Sequence, residues 1–205
     1  FIATSVADGA GKLTGLGTMH PECEDIPGEI DHLMNLGLKG IKIHPDIQAF
    51  PMDHPGFMTM YECCAAKGLP VLMHTGDYRY DFSNPNRLLT VLKAFPGLTV
   101  IGAHFAGWSL WDQITDEILS FPNLYVDCSS TMPFLDDYIS CGKMIRRFGV
   151  ERVLYGTDFP MWSPVEEIEH FLALDLTEEE RTKIFSENAR KLFQLPDSIF
   201  ETVTV

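Results

Sequence analysis

The stretch Gly68-Leu-Pro-Val-Leu-Met-His-Thr-Gly76 contains a short apolar run with a histidine near its end. Residues 70–75 have the length and composition of a buried β-strand, and the glycines on either side suit turns of the chain. A single histidine at the end of one strand is usually a structural group with a hydrogen-bond partner of its own. The stretch therefore predicts a strand, and it becomes informative about function only where the pattern recurs.

The pattern recurs along the chain. Three further apolar runs end in a histidine or are followed at once by an aspartate: 39–44 with His44, 98–104 with His104, and 151–157 with Asp158. Two more runs, at 13–19 and 123–128, bring the predicted strands to six. Stretches with helical spacing follow the strands, at 28–36, 55–67, 84–95, 109–120, 135–148 and 178–193. Repeated strand–helix units form a parallel sheet with right-handed crossovers, so the chain belongs to the α/β class.

Specific residues mark where some of these helices begin and end. Thr177 followed three residues later by Glu180 is a capping box, in which each side chain satisfies a backbone N–H at the other residue. Pro85 suits the first turn of a helix. Gly68 stands where the helix 55–67 should stop, because glycine readily adopts the left-handed backbone that ends many helices.

Composition excludes several classes of function. The 205 residues include 15 Lys+Arg and 29 Asp+Glu, which gives a formal net charge of −14. Because the chain is acidic and has no basic cluster to contact phosphates, nucleic acid is excluded as a partner. No run approaches the roughly 18 apolar residues of a membrane-spanning helix, so no membrane partner is expected. The five cysteines are odd in number and unevenly spaced, which argues against a disulfide framework and predicts a cytoplasmic protein. The length fits one domain over residues 1–205.

The polar residues at the strand ends are the candidate functional groups. In a parallel sheet all carboxyl ends lie on one side, which is where barrels and open α/β sheets place their active sites. Five of the seven histidines lie at or near strand ends: His20, His44, His54, His74 and His104. Asp158 adds a carboxylate, and Asp127 is left open between a functional group and a cap of the following segment.

This combination of side chains indicates a metal site. Neutral imidazoles and a carboxylate bind a divalent metal, zinc in the first place, with manganese as the alternative. Such a metal lowers the pKa of a bound water, and a carboxylate nearby can take up the proton and return it later. His74, His104 and Asp158 suffice for these roles.

Residues that follow the strand ends supply candidate substrate contacts. Arg79 carries a planar fork of donors that suits a carboxylate. Trp108 lines a pocket in one interpretation; in the other, Trp108 and Trp111 pack a helix onto the sheet. His44 is the third candidate. The sequence thus predicts a small-molecule substrate without naming it.

Four strand-end motifs, in this order, resemble the amidohydrolase-related (amidohydrolase 2) family of metal-dependent enzymes. They are Gly40-Ile-Lys-Ile-His-Pro45, Gly68-Leu-Pro-Val-Leu-Met-His-Thr-Gly76, Val100-Ile-Gly-Ala-His-Phe-Ala-Gly107 and Arg152-Val-Leu-Tyr-Gly-Thr-Asp-Phe-Pro160. Glu187-Asn-Ala-Arg-Lys-Leu-Phe193 is also similar to the family, so the resemblance spans about residues 13–195. It implies a TIM (β/α)8 barrel with a divalent metal cofactor, and a homo-oligomer is in keeping with it.

The resemblance also implies roles for individual residues. His74 matches the family's metal-ligating histidine. His104 matches a histidine that is catalytic in mononuclear members and ligates metal in binuclear ones. Asp158 matches an aspartate that ligates metal and handles the proton of the nucleophile. Lys42 and His44 lie where some members of the wider superfamily carry a ligand on the fourth strand.

One departure from the family pattern is large. The family's first strand carries a His-x-His pair that binds the metal, and this sequence contains no such pair. Counting back from His74 on the fifth barrel strand makes residues 13–19 the third strand. We therefore expect about six of the eight βα units, with the first two strands missing and the N-terminal part of the domain absent.

Three functions remain open from the sequence. The first is a metal-dependent hydrolase that acts on an amide, lactone or related bond of a small molecule. The second is a non-oxidative decarboxylase (carboxy-lyase) of the same family. The third is an inactive barrel fragment that lacks the first-strand metal ligands.

Overall fold

A computed structural model describes residues 1–131 and 138–196. Within these residues, parallel strands form one sheet in the order β1-β2-β3-β4-β5, so each strand pairs with the next one along the chain. The strands are β1 Ile41–Ile43, β2 Val71–Met73, β3 Val100–Gly102, β4 Leu124–Asp127 and β5 Val153–Leu154. Successive parallel strands joined by helices are the arrangement found in a TIM barrel.

The register of the sheet brings the carboxyl ends of its strands to one level. Ile43 pairs with Met73, and Met73 pairs with Gly102. His44 and His74 are the residues that follow Ile43 and Met73, so they leave the sheet side by side. The polar residues that end the predicted strands are thereby gathered at one edge.

The sixth predicted strand, at 13–19, is present only as an isolated parallel bridge between Gly17 and Ile41. The Gly17 N–H donates to the Gly40 carbonyl at 2.9 Å, and the Gly17 carbonyl accepts from Lys42 N at 2.7 Å. A side chain at Gly17 would meet Leu33 of the neighbouring helix at 2.7 Å. Glycine therefore allows this close packing but weakens the strand, because it contributes no side chain to the sheet.

Helices occupy most of the chain between the strands. They are α1 Ile2–Asp8, α2 Ile26–Asn35, α3 Pro45–Gln48, α4 Pro55–Lys67, α5 Pro85–Ala94, α6 Asp116–Leu119, α7 Tyr138–Phe148, α8 Pro164–Leu172, α9 Glu178–Thr182 and α10 Asn188–Phe193. Short 3-10 segments lie at Trp108–Gln113 and Val150–Arg152, and one π-helical turn, Lys183–Glu187, joins α9 to α10.

Helix boundaries with a clear chemical signal were predicted well. Gly68 ends α4 with φ of 66°, in the left-handed conformation expected of it. Both hydrogen bonds of the capping box between Thr177 and Glu180 are present at the start of α9. Pro85 is the first residue of α5, and Asn84 caps it through its side chain.

Other helix predictions differ from the structure: α1, α3 and α8 were not predicted, and the helix expected at 178–193 is interrupted by the π-helical turn. The helix expected at 109–120 is divided into a 3-10 segment and α6, because Thr115 caps a new helix by accepting from Ile118 N. The helix expected at 135–148 is described only from Tyr138, and its first three residues lie outside the described part of the chain. The predicted tail beyond Pro196 lies outside it as well.

The hydrophobic core lies between the sheet and the helices. Strand residues such as Ile43, Val71 and Val100 are buried, as expected for a parallel sheet that is covered by helices. The largest fully buried side chains include Tyr61, Phe57, Phe105, Phe148 and Phe171. Full burial of each such side chain stabilises the fold by about 1.5–3 kcal/mol.

Disulfides and membrane-spanning helices are both absent from the described residues. All five cysteines are free, and Cys64, Cys128 and Cys141 are buried. None of the helices in ranges 1–131 and 138–196 is long and apolar enough to cross a membrane.

Tyr61→Phe tests the packing of α4 against the loop that precedes it. The Tyr61 hydroxyl donates to the Met52 carbonyl at 2.8 Å in a fully buried contact. Its removal leaves that carbonyl without this donor, so we expect unfolding by urea to require about 1–2 kcal/mol less free energy. The matched control is Tyr78→Phe, at a residue that is 71% exposed, which should change stability by less than about 0.5 kcal/mol. Equal losses in the two variants would contradict the assignment.

Candidate active site

Side chains at the carboxyl ends of the strands enclose a cavity of about 510 Å³. The six residues to which the sequence gave metal, catalytic or substrate roles line it: His44, His74, Arg79, His104, Trp108 and Asp158. The remaining lining residues are Lys42, Asp46, Ile47, Asp77, Tyr80, Ser130, Met161 and Trp162. A cavity of this size and mixed lining suits a small molecule.

β1 and β2 place two histidines directly against each other. His44 and His74 follow paired positions of the two strands, and their rings stack with centroids 3.9 Å apart and planes 10° apart. His44 is also the N-cap of α3, where its Nδ1 accepts a hydrogen bond of 3.3 Å from Ile47 N. The same residue therefore ends a strand, starts a helix and faces the cavity.

A strained turn after β3 directs His104 into the cavity. His104, Phe105 and Ala106 have φ values of 59°, 51° and 57°, a left-handed conformation that is uncommon for residues other than glycine. The carboxylate of Asp127 accepts a hydrogen bond of 3.1 Å from His104 N. The indole of Trp111 donates to the His104 carbonyl at 2.9 Å. Trp111 thus holds this turn, whereas Trp108 lines the cavity.

The sequence left the role of Asp127 open. In the structure Asp127 supports His104 through Ser129. Asp127 Oδ1 accepts from Ser129 N at 3.0 Å and from Ser129 Oγ at 2.5 Å. Ser129 in turn brings its carbonyl oxygen to 2.9 Å and its Oγ to 3.0 Å from His104 Nδ1. Sequence reasoning missed Ser129, because its contact with His104 spans 25 residues and exists only in the folded chain.

These contacts fix which ring nitrogens carry protons. A carbonyl oxygen can only accept, so His104 Nδ1 carries the proton that it donates to Ser129. His104 Nε2, 3.1 Å from His74 Nδ1, is then the acceptor in that pair. His74 therefore carries its proton on Nδ1 and directs the lone pair of Nε2 into the cavity. A metal-ligating histidine is typically held in this way, with its other N–H donated to an acceptor.

Asp46 is a site residue that sequence reasoning missed. It is the second residue of α3, two positions after His44, and its Oδ2 accepts from Ser83 Oγ at 2.6 Å. Asp46 Oδ2 also lies 3.7 Å from His74 Nε2. The signal available in the sequence was the run His44-Pro-Asp46, which places a carboxylate just beyond a strand-end histidine.

A divalent metal fits this part of the cavity. His74 Nε2 and Asp46 Oδ1 are buried, and neither has a hydrogen-bond partner within the described residues. Ligand atoms of His44, Asp46 and His74 all lie within 4.8 Å of one another, and no other group of three or more such residues does so in ranges 1–131 and 138–196. Buried polar atoms without partners are costly, and a cation would satisfy them.

Asp158 approaches the same cavity from the turn after β5. It has φ of 57°, and its Oδ2 accepts from Ser130 Oγ at 2.6 Å. Trp162 donates to the same Ser130 oxygen at 2.7 Å. The backbone turn and this pair of hydrogen bonds orient the carboxylate.

Burial and neighbouring charges keep the imidazoles of His44 and His74 neutral. Burial is the largest cause that lowers the pKa of His44 to about 4, with Lys42 next. The pKa of His74 is also lowered, first by burial and then by His44 and His104. Burial lowers the pKa of Lys42 as well, against the opposing charges of Asp127 and Asp158. Neutral imidazole is the form that binds a metal.

Arg79 is held at the mouth of the cavity by Asp77. Arg79 Nε and Nη2 contact the Asp77 carboxylate at 2.9 and 2.7 Å, and this contact lowers the pKa of Asp77 against the effect of burial. The guanidinium lies 5.7 Å from the ring of Trp108 and 5.6 Å from that of Tyr80. An arginine fixed in this way can present its remaining donors to an anionic ligand.

Two other strand-end histidines have local roles. His20 Nδ1 accepts from Glu22 N at 3.2 Å, and His54 Nδ1 accepts from Gly56 N at 3.2 Å at the start of α4. Neither residue lines the cavity. Both histidines are therefore structural groups with local hydrogen-bond partners.

The loops that carry His74 and His104 touch through two glycines. Gly76 has φ of 82°, and a Cβ atom there would meet the backbone of Gly107 at 2.3 Å. Glycine is therefore required at position 76 for two reasons, its backbone conformation and the space available. The contact brings the two histidine-bearing loops together.

Comparison of sequences relates the chain to a family of enzymes. The sequence model of a family described as amidohydrolase matches residues 1–195. No curated protein matches the chain.

Solved structures with a similar fold include hydrolases and decarboxylases. An uncharacterized TIM-barrel protein from Bordetella bronchiseptica has 24% sequence identity and a TM-score of 0.80, over 95% of this chain and 71% of that one. A dihydroxybenzoic acid decarboxylase from Polaromonas sp., with bound manganese and the inhibitor 2-nitroresorcinol, has 18% identity and a TM-score of 0.75, over 95% and 73%. A probable 2-pyrone-4,6-dicarboxylic acid hydrolase from Acinetobacter baumannii, with citric acid bound, has 15% identity and a TM-score of 0.72, over 94% and 77%. At these identities the likeness confirms the predicted TIM-barrel fold.

The lowered pKa of His44 predicts how stability depends on pH in the metal-free protein. Its folded pKa of about 4 lies below the ordinary value of 6.5, so the unfolded chain binds more protons between these values. The free energy of unfolding should therefore fall as the pH is lowered from 6.5 towards 4, and His44→Gln should reduce this fall. Denaturant titrations in EDTA at several pH values measure it. The control is His32→Gln, at an exposed position, and an unchanged slope in His44→Gln would refute the assignment.

Proposed function

Because the chain belongs to the amidohydrolase family, we propose that it is a metal-dependent hydrolase that cleaves an amide, lactone or related bond in a small molecule. The proposal rests on two groups that line one cavity. One is an imidazole nitrogen after β2 without a hydrogen-bond partner among the described residues, and the other is a carboxylate after β5. The nitrogen is Nε2 of His74, and the carboxylate is that of Asp158. Metal ligation and proton transfer need these two groups.

His74 would hold the ion through Nε2, with Asp158 as a further ligand that the family resemblance implies. The resemblance also offers His104 as a ligand, but its Nε2 would first have to give up the contact with Nδ1 of His74. Imidazole ligands suit zinc and carboxylate ligands suit manganese, so a mixed set fits either metal. Manganese is the metal bound in the similar decarboxylase from Polaromonas. A divalent ion at this point would supply Lewis acidity to a water or to a substrate oxygen.

Asp158 is proposed to move the proton. Ser130 occupies its Oδ2, so its Oδ1 is the oxygen that would take the proton from the attacking water and return it to the leaving group. Asp158 is exposed, and its Oδ2 is held by the buried Ser130, which in turn accepts a hydrogen bond from Trp162.

His104 is proposed to stabilise negative charge that develops on the substrate. In the resting site its Nε2 is engaged with Nδ1 of His74, so it first orients that residue. Its catalytic role requires this hydrogen bond to be given up and Nε2 to gain a proton, so that Nε2–H can donate to the substrate. Ser129 holds the opposite edge of the ring in either case.

The substrate is proposed to be a small anion with a flat, apolar part. Arg79 would contact its carboxylate, Trp108 would stack against it, and His44 would contact it from the side of β1. The guanidinium of Arg79 already lies over the ring of Trp108, 5.7 Å from its centroid.

Non-oxidative decarboxylation is the second candidate. It is favoured by two cationic side chains, Lys42 and Arg79, and by three aromatic ones, Tyr80, Trp108 and Trp162, in the same cavity. This lining suits an aromatic carboxylic acid, which is the substrate class named for the similar decarboxylase from Polaromonas. In that reaction His104 or Asp158 would deliver a proton to carbon.

Product analysis distinguishes these reactions. The EDTA-treated protein, reloaded with zinc or manganese, is incubated in ¹⁸O-labelled water with aryl lactones, aryl amides and hydroxybenzoic acids. We expect one ¹⁸O atom in the product of a lactone or amide and no turnover in EDTA. Release of carbon dioxide, with no ¹⁸O in the aromatic product, would establish decarboxylation instead. Full activity in EDTA would contradict both reactions, and an intact fold without any turnover would favour an inactive fragment.

Asp158→Asn tests the proposed proton transfer. The amide cannot accept a proton, so we expect kcat to fall by about 10²- to 10⁴-fold with a small change in KM. The matched control is Asp175→Asn, at an exposed residue that does not line the cavity, which should leave kcat unchanged. A fall of less than about threefold in Asp158→Asn would remove this residue from the mechanism.

A further inference from the structure

We propose that Asp46, positioned by Ser83, is a metal ligand of this chain and binds a divalent cation together with His74 and His44. The inference rests on the proposed function for the presence of a metal in the cavity, but it names a different ligand set. The family resemblance offers His74, His104 and Asp158, whereas the compact group in the structure lies on the β1 and β2 side.

Asp46 has an oxygen that lacks a partner. Its side chain is 2% exposed, Oδ2 accepts from Ser83, and Oδ1 has no hydrogen-bond partner within the described residues. A carboxylate removed from water is stable only when its oxygens are compensated by donors or a cation. The unpartnered oxygen therefore points to a missing positive group.

His74 faces Asp46 with a second unpartnered atom. Nε2 of His74 is 3.7 Å from Oδ2 of Asp46, which is too long for a hydrogen bond. Two ligand atoms of a tetrahedral zinc site, each about 2.1 Å from the ion, lie about 3.4 Å apart. The 3.7 Å distance is thus close to the separation that a shared ion would impose. It is measured to Oδ2, which also accepts from Ser83, while the unpartnered Oδ1 belongs to the same carboxylate.

His44 supplies the third ligand, and it is the weakest. Its ring is parallel to that of His74, and one of its nitrogens lies within 4.8 Å of the other two ligand atoms. Its Nδ1, however, accepts the 3.3 Å hydrogen bond that caps α3. If the other nitrogen binds the cation, Nδ1 carries the proton of the neutral ring and can no longer accept from Ile47 N. Because ligation would break this cap, His44 should contribute less than Asp46 or His74.

Ser83 acts as a positioning residue for Asp46. It is completely buried, and its hydroxyl reaches Asp46 across 37 residues of sequence. Its carbonyl accepts from Gly76 N at 2.8 Å, which ties its loop to the strand end that carries His74. The carboxylate and the imidazole are therefore held on one framework before any cation binds, which is the usual means of fixing ligand geometry.

Metal titration of the purified chain tests the inference. The EDTA-treated protein is titrated with Co²⁺, followed by visible absorption, and with Zn²⁺, followed by calorimetry. We expect Asp46→Asn and His74→Ala to weaken binding by at least about 100-fold, and Ser83→Ala and His44→Ala by about 10-fold. The matched control, Asp175→Asn, should bind as the wild type does.

Stability without metal separates loss of a ligand from loss of the fold. Asp46→Asn removes a buried carboxylate with an unpartnered oxygen, so its melting temperature in EDTA should equal or exceed that of the wild type. Zn²⁺ should raise the melting temperature of the wild type and leave that of Asp46→Asn unchanged. Asp46→Glu, which keeps the charge, should restore part of the Co²⁺ absorption.

The outcomes separate this inference from the proposed function. Wild-type affinity in Asp46→Asn, with binding lost in Asp158→Asn, would overturn the inference and leave the proposed ligand set intact. Absence of metal binding in the wild type would also overturn it. Binding that depends on Asp46 in a protein that hydrolyses none of the substrates would support the inference and count against the proposed hydrolase.

Discussion

The parallel register between β1, β2 and β3 is the constraint on which the site depends. Because Ile43 pairs with Met73, the next residues of both strands leave the sheet at one level, and His44 and His74 stack. A shift of one residue in this pairing would turn a histidine towards the other face of the sheet. The core thus specifies the site, since the same apolar residues that bury the sheet also set its register.

Hydrogen bonds then convert this placement into chemistry. The chain of contacts from Asp127 through Ser129 and His104 to His74 decides which nitrogen of each ring carries a proton. Its final effect is a lone pair on His74 that faces the cavity. Neighbouring Asp46 is held equally firmly yet leaves one oxygen unpartnered. Polar atoms without partners reduce stability, and they are the features that a bound ligand can satisfy.

The cavity combines features that two reactions share. Candidate metal ligands lie beside β1 and β2, a carboxylate follows β5, and cationic and aromatic side chains lie at the mouth. This combination suits hydrolysis and decarboxylation alike. The difference between these reactions lies in where a proton is delivered, to a leaving heteroatom or to carbon. That choice depends on how the substrate is oriented by Arg79 and Trp108, which both lie at the mouth.

The sequence by itself indicated the alternation of strands and helices and the helix boundaries at Gly68 and Thr177. It also predicted six residues for one site, which the structure places around one cavity while their roles stay predictions. Periodicity and capping act over a few residues, so they are readable without the fold. Only the tertiary structure decided that 13–19 forms a single bridge, that Trp111 holds the turn at His104, and that Asp46, Ser83 and Ser129 belong to the site. These facts rest on contacts between residues distant in sequence, and no local pattern of side chains encodes which distant partner a hydroxyl or a carboxylate will meet.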